Sequence, residues 1–176
     1  MTRTVAREIA IQISFSLSVN EENLIEDTLE TFFNKDYYES LAQEDELYTD
    51  YPNKKQREYI SLIVTGTQQH RHELDDIIAR YSKGWKLSRI SRIATAILRT
   101  ALYEVLYLDD VPDSVAINEA VELAKGYEEP ETVSFINGIL GSFMRAEQGS
   151  EPLEVTEEQL AAEASFEKDD TVEDGQ

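Results

Sequence analysis

The side chains best suited to hold a metal ion are His70 and His72, the only two histidines in the chain. On a helix, residues two positions apart point to nearly opposite sides, so this pair cannot chelate one ion. His72 and Asp76 have the i, i+4 spacing that places two ligands on one helical face. Two ligands do not complete a coordination shell, and the sequence offers no evident third one. We therefore expect no metal site.

Residue patterns typical of enzymes are also missing from the sequence. There is no cysteine, and the GxSxG and HExxH motifs do not occur. A glycine-rich phosphate loop needs a preceding strand, and no segment alternates with a strand period. The 36 acidic residues could supply a carboxylate pair, but no apolar pocket is evident that would shift one pKa. We expect a protein without catalysis and without a cofactor.

Apolar residues recur at helical spacing along most of the chain. The most regular stretch is 88–107, whose continuous apolar stripe predicts the central core helix. The other predicted helices cover 4–18, 22–34, 54–68 with a continuation or restart through 81, 113–125 and 131–146. Residues 35–53 are acidic and rich in tyrosine, and they are predicted as a loop with at most one helical turn. These patterns predict an all-α fold with short connections.

The charge of the chain is strongly negative but unevenly distributed. The formal net charge is −20 at pH 7, yet residues 54–99 carry ten of the sixteen basic side chains and only four acids. A net charge of this sign argues against nucleic-acid binding, whereas a local basic segment permits it. The alternative, which the sequence alone favours, is that these bases pair with nearby acidic helices.

The composition changes near residue 146. Residues 1–146 are predicted to form one helical domain, while residues 147–176 are acidic with isolated apolar positions and are predicted to be a disordered tail. Residues 156–164 could form one or two helical turns. The tail is interpreted as a solubilising extension, or alternatively as an acidic arm that lies over the basic segment and competes with RNA. With no apolar run of 18 residues and no signal peptide, we expect a cytoplasmic protein without a membrane span.

Two sequence motifs place polar residues inside otherwise apolar helices. They are VAINEAVELAK at 115–125 and FINGIL at 135–140. Asn118 and Asn137 lie within them, although asparagine is a poor helix former. Each Asn either hydrogen-bonds a neighbouring helix end, which is the favoured interpretation, or faces a ligand. Gly138 is predicted to allow the close approach of another helix.

These motifs carry a resemblance to a known family. Together with AREIAIQISF at 6–15, Trp85 and AILRTALYEVLY at 96–107, they resemble the NusB family of bacterial transcription antitermination factors. Four motifs in the same order make coincidence improbable, and the resemblance extends over about residues 3–146. It implies a bundle of about seven helices in two packed subdomains, without catalysis.

The resemblance also implies partners. NusB-like proteins bind the boxA element of nascent RNA together with a small-subunit ribosomal protein, NusE. That complex helps RNA polymerase through ribosomal RNA operons, so the chain is expected to join an RNA polymerase antitermination complex. An acidic helical protein-binding module that has lost RNA binding is the alternative. An accessory domain of an RNA methyltransferase is disfavoured, because the chain has no glycine-rich cofactor loop.

The resemblance assigns roles to particular residues. Arg3 and Arg7 are expected to contact RNA phosphates, and Gln12 to support that surface. Phe135 could stack on a base, with Glu131 nearby; its alternative is a core position on an apolar stripe. Phe15 is expected to be a partner contact or a core residue. The arginine cluster here is sparse, being interrupted by Thr2, Thr4 and Val5, so we expect weak RNA binding without the basic ribosomal partner.

Overall fold

The computed structural model describes residues 1–17, 24–82, 89–148 and 155–168. These residues form nine α-helices and contain no strand, which confirms the all-α prediction with two more helices than expected. The helices are α1 (Arg3–Ser16), α2 (Ile25–Phe32), α3 (Lys35–Leu41), α4 (Lys54–Gln69), α5 (Arg71–Tyr81), α6 (Arg92–Tyr107), α7 (Asp113–Tyr127), α8 (Pro130–Gln148) and α9 (Glu157–Phe166). Trp85 and the predicted helix start at 22–23 lie outside the described residues.

Helix α6 is the centre of the bundle, as its apolar stripe predicts. It packs against α1 and α4 on one side and against α5, α7 and α8 on the other. Ile97, Leu98 and Leu102 are fully buried within it. Because α6 contacts all five of these helices, their buried residues form one continuous core.

Helices α4 and α6 approach each other closely at Gly66. A Cβ atom built at this position would lie 2.1 Å from the ring of Tyr103. The missing side chain therefore lets the Tyr103 ring lie directly on the α4 backbone. By contrast, a Cβ at Gly138 would meet nothing within 4 Å, so the predicted close approach of a helix at Gly138 is wrong.

The segment predicted as a loop, 35–53, contains helix α3 and a short 3-10 helix, Glu46–Tyr48. Asn34 and Asp45 cap these two helices through their side-chain oxygens. Tyr38 is almost fully buried and contacts the rings of Phe32 and Tyr48 edge to face. Two of the tyrosines that suggested a loop, Tyr38 and Tyr48, thus bury their rings, and this aromatic packing stabilises helices too short to be stable alone.

The acidic tail also contains more structure than predicted. Residues 157–166 form α9, which begins with a capping box between Thr156 and Gln159. Its last residue, Phe166, is only 4% exposed and belongs to the core. Residues 155–168 therefore differ from the expectation of a disordered tail, because this single aromatic residue anchors the helix to the body. Among the described residues, no helix is long and apolar enough to cross a membrane.

Candidate functional site

Arg7 is buried inside the bundle. Its Nε and Nη2 atoms donate to the two carboxylate oxygens of Glu104 at 2.6 and 2.9 Å, and Nη1 lies 3.3 Å from Glu119. Glu104 has no exposed surface at all. Burial alone would lower the pKa of Arg7, but Tyr59, Glu104 and Glu119 raise it above its ordinary value. Arg7 therefore remains charged and ties α1 to α6 and α7.

Arg3 lies one turn earlier and is also covered, but by different groups. Its Nε donates to Glu163 of α9 at 2.7 Å, and its Nη2 lies 3.5 Å from Asp110. The guanidinium carbon sits 4.2 Å from the ring centre of Phe166 and 4.9 Å from that of Tyr59. The expected pair of phosphate-binding arginines is thus not exposed in this structure, because carboxylates of the same chain pair with both guanidinium groups and aromatic rings also cover that of Arg3.

Gln12 connects α1 to the end of α7. Its side-chain NH2 donates to the Tyr127 hydroxyl at 2.8 Å, and its carbonyl oxygen accepts from Tyr48 at 3.2 Å. Tyr127 in turn donates to Glu8 at 2.5 Å. Burial, together with the hydrogen bond to Glu8, raises the pKa of Tyr127 to about 12. The network holds the end of α7 against α1, and the role of Gln12 beside bound RNA stays a prediction.

Phe15 lies on the surface at the end of α1, with 39% of its area exposed. The guanidinium carbon of Arg92 sits 4.8 Å from its ring centre, and Arg92 Nη2 donates to the Phe15 carbonyl at 2.8 Å. The neighbouring Ser91 hydrogen-bonds to Glu128 just after α7. The core interpretation of Phe15 is therefore excluded, and its exposed ring lies near the α7–α8 turn.

The first turns of α8 carry the remaining predicted residues. Glu131 is exposed, whereas Phe135 is half-buried and packs partly against the core. Phe135 thus combines the two predicted environments, a core contact and an accessible edge. It lies four residues, about one helical turn, after Glu131, so the two side chains share a face of α8.

Asn118 and Asn137 are both exposed. Neither side chain forms a hydrogen bond with any of the residues that the structure describes, so the favoured interpretation of internally satisfied asparagines is wrong. Their amides, each with two donors and one acceptor, face outward on α7 and α8. The fold itself makes no use of these polar groups.

His70 and His72 show no arrangement suited to metal binding. The His70 ring stacks on Tyr107 at 4.3 Å, and its Nδ1 lies 3.2 Å from Glu73, while His72 is exposed. Within the described parts of the chain, no group of three potential metal-ligating side chains comes together. The aromatic stack gives His70 a structural role at the α4–α5 junction.

Helices α1, α7 and α8 present part-exposed aromatic rings and uncharged hydrogen-bonding groups on the surface. Such groups suit single-stranded RNA, whose bases stack on aromatic rings and offer their edges to amides. Sequence reasoning missed Tyr127 and the Arg92 contact to Phe15. The available signal was Arg92 standing off the apolar stripe of α6, whereas nothing local marked Tyr127.

Comparison with known proteins gives a consistent result. A model of the NusB family matches residues 4–145. Transcription antitermination protein NusB of Acetivibrio thermocellus is 42% identical over 145 residues, which cover 82% of this chain and 90% of that protein. The Clostridium acetobutylicum protein of the same name is 38% identical, with coverages of 84% and 98%. A solved structure of T. maritima NusB aligns with a TM-score of 0.59 at 29% identity, covering 85% of this chain and 94% of that one.

Proposed function

Because the chain belongs to the NusB family, we propose that it is a transcription antitermination factor that binds boxA-type RNA together with the ribosomal protein NusE. In this role it would support transcription of ribosomal RNA operons as part of the RNA polymerase antitermination complex. The observation that carries the RNA-binding proposal is the outward orientation of Asn118 and Asn137 on α7 and α8. Both lie in the motifs that carry the family resemblance, yet neither contributes to the fold.

The RNA-binding surface in this proposal is centred on the α7–α8 turn. The solvent-exposed part of Phe135 stacks on an unpaired base near the turn. Asn137, two positions further along α8, points to a different side of the helix and hydrogen-bonds another base edge as the strand passes around α8. Gln12 acts through Tyr127 by fixing the position of the turn. Glu131 flanks the surface and disfavours a phosphate beside it.

The arginines contribute differently from the original expectation. Arg7 is a positioning residue, since its guanidinium is fully engaged by Glu104 and Glu119. A buried, paired charge of this kind cannot turn toward a phosphate without leaving Glu104 uncompensated, which is energetically costly. Arg3 reaches a phosphate only if its contacts to α9 are broken.

The protein partner is proposed to contact Phe15. An exposed aromatic ring next to an arginine is typical of interface hot spots, and Phe15 with Arg92 forms such a pair. The net charge of −20 would attract a basic ribosomal protein over a distance and accelerate its association. The same charge opposes RNA, so we propose that RNA binds tightly only when the basic partner is present.

Fluorescence anisotropy of a boxA-containing RNA tests this function. The RNA is titrated with the chain, with the NusE-type protein, and with both, at two salt concentrations. We expect the pair to bind more tightly than either protein alone, and Asn137→Ala to weaken the binding. Gln69→Ala removes an exposed amide from the end of α4 and serves as the matched control, with no expected effect.

One alternative function is favoured by a specific observation. Both N-terminal arginines are covered, as expected for an acidic helical module that binds proteins but not RNA. In that case Phe15→Ala would weaken binding of the NusE-type protein, while the chain would add nothing to RNA affinity. The same titration therefore separates the two functions.

A further inference from the structure

Helix α9 lies beyond the part of the chain that matches the NusB family, which ends at residue 145. It nevertheless packs against the N-terminus of α1, where Arg3 begins that helix. Only 4% of the Arg3 side chain is exposed, compared with 48% for Glu163, its partner on α9. Part of the cover over Arg3 therefore comes from a helix outside the family-matched region, and the rest from Asp110 and Tyr59.

The groups that α9 brings to Arg3 are chemically specific. A carboxylate oxygen of Glu163 accepts from Nε at 2.7 Å, and the Phe166 ring lies over the guanidinium at 4.2 Å. A nucleotide offers the same two features to an arginine, namely an anionic oxygen and a flat π-face. Residues 163–166 thus occupy Arg3 in the way that a phosphate and a base would.

The attachment of α9 is limited to a few contacts. Gln56 donates to the Phe166 carbonyl at 3.1 Å, and Gln159 donates to the Asp109 carbonyl at 3.1 Å. Phe166 is the only residue of α9 that is fully buried, while Leu160 on the same helix is 60% exposed. A ten-residue helix is marginally stable by itself, and α9 is held by one buried aromatic residue, two hydrogen bonds and one ion pair. We expect so small a set of contacts to let α9 detach without unfolding the bundle.

We propose that α9 is an internal competitor of RNA, which occupies Arg3 in the free protein and leaves it when RNA binds. This inference rests on the proposed RNA-binding function and adds its regulation. Once α9 detaches, Arg3 and Tyr59 provide a charged, aromatic-backed site at the start of α1. Because the tail is covalently attached, its local concentration is high and only RNA with additional contacts displaces it.

RNA binds only those molecules in which α9 is detached. The apparent affinity for RNA is therefore the intrinsic affinity multiplied by the fraction of detached molecules. A variant that weakens the attachment therefore binds RNA more tightly, whereas one that merely reduces the negative charge of α9 does not. Glu163 and Glu158 provide this distinction. Both are exposed glutamates on α9, but only Glu163 contacts Arg3.

The test measures boxA RNA binding to the full chain with its NusE-type partner. We expect Glu163→Gln to tighten binding by about threefold and Phe166→Ala, which removes the buried anchor, by up to about tenfold, while Glu158→Gln changes it by less than about twofold. In an Arg3→Ala background, Phe166→Ala should give no gain, because the competed group is missing. Circular dichroism of each variant verifies that the bundle remains folded.

The possible outcomes separate the two proposals. If the wild-type pair binds RNA but Glu163→Gln and Glu158→Gln behave alike, α9 is not a competitor and the proposed function stands. If neither the wild-type chain nor Phe166→Ala adds to RNA binding, both proposals are overturned.

A second measurement follows α9 directly. Since the chain has no cysteine, a single Ala164→Cys substitution on the exposed side of α9 accepts a spin label. Saturating RNA should increase the mobility of the label. Unchanged mobility at saturation would contradict the proposal even if the variants alter affinity.

Discussion

Arg3 and Arg7 stand one turn apart on α1, yet they belong to different kinds of site. Arg7 is paired with Glu104 and Glu119, which come from α6 and α7 within the family-matched region. The main partner of Arg3 is Glu163, which comes from the appended helix α9. Arg3 and Arg7 look equivalent in the sequence. Exposing Arg7 requires breaking contacts within the family-matched bundle, whereas exposing Arg3 requires mainly the loss of its contacts to α9.

The comparison shows that burial alone does not define the role of a charged side chain. Releasing Arg7 would leave the fully buried Glu104 without its counter-charge, whereas releasing Arg3 would return the half-exposed Glu163 to water. The first change carries a large desolvation penalty and the second carries little. Arg7 is thus fixed by the fold, and Arg3 is exchangeable.

The largest expected effect comes from breaking the fixed pair. Glu104→Gln should reduce the free energy of unfolding by about 3 kcal/mol, the lower end of the range for breaking a buried pair, because it leaves Arg7 with only the part-exposed Glu119 as a counter-charge. Urea denaturation measures the loss. Replacing both partners with apolar residues, as in Arg7→Met with Glu104→Leu, should restore much of it. A loss below about 1 kcal/mol for the single variant would contradict the fixed role of Arg7.

The next largest effect is expected on RNA affinity. It tests whether the surface of α8 at Phe135, and not Arg7, contacts the RNA. Phe135→Ala should weaken boxA binding of the complex by about 1–3 kcal/mol, the usual contribution of a stacked base. Anisotropy measures the change, with Gln69→Ala as the unaffected control. Equal affinity of the Phe135 variant and the wild type would shift RNA recognition to another surface.

Alkaline pH affects the network that joins α1 to the α7–α8 turn. Burial raises the pKa of Tyr48 and of Tyr127 to about 12, from an ordinary value of 10.0. The unfolded chain therefore loses these phenol protons first, so stability is retained below pH 10 and falls as the pH rises toward 12. Tyr127→Phe should make this fall shallower in thermal melts at pH 9, 10 and 11. If stability falls with pH equally steeply in Tyr127→Phe and in the wild type, the raised pKa of Tyr127 does not account for the fall.

The smallest effect on stability is expected from breaking the exchangeable pair, Arg3 with Glu163. Glu163→Gln should change the free energy of unfolding by less than about 1 kcal/mol, because its carboxylate is solvated. Asp75→Asn is a suitable comparator, since Asp75 forms a part-exposed pair with Arg99 at 2.8 Å. Similar small losses from both variants in urea would sharpen the contrast with Glu104. A loss at Glu163 as large as that at Glu104 would remove the contrast.

The sequence predicted the parts of this account that depend on local pattern. Apolar spacing located α1, α2 and α4 to α8 and identified α6 as the central helix. It could not predict the burial of the arginines, because Glu104 lies 97 residues from Arg7 and Glu163 lies 160 residues from Arg3. Helix α9 was missed for a related reason, since its stability depends on Phe166 entering a core built by distant residues.

The polar residues of the family motifs were the least predictable. Asn118 and Asn137 lie among apolar neighbours, so internal hydrogen bonding was a reasonable expectation. The buried residues of α7 and α8 define the face that each helix turns to the core, and both asparagines fall outside that face. Because both asparagines face outward, we propose a contact with RNA in place of the structural role expected from the sequence.

Hydrogen–deuterium exchange of the complex with the NusE-type protein, with and without boxA RNA, tests the central claim most directly. We predict that RNA slows exchange at residues 127–135, accelerates it in α9, and leaves α6 around Glu104 unchanged. Slower exchange in α9 together with faster exchange around Glu104 would contradict the account, because it would make Arg7 the exchangeable arginine and Arg3 the fixed one.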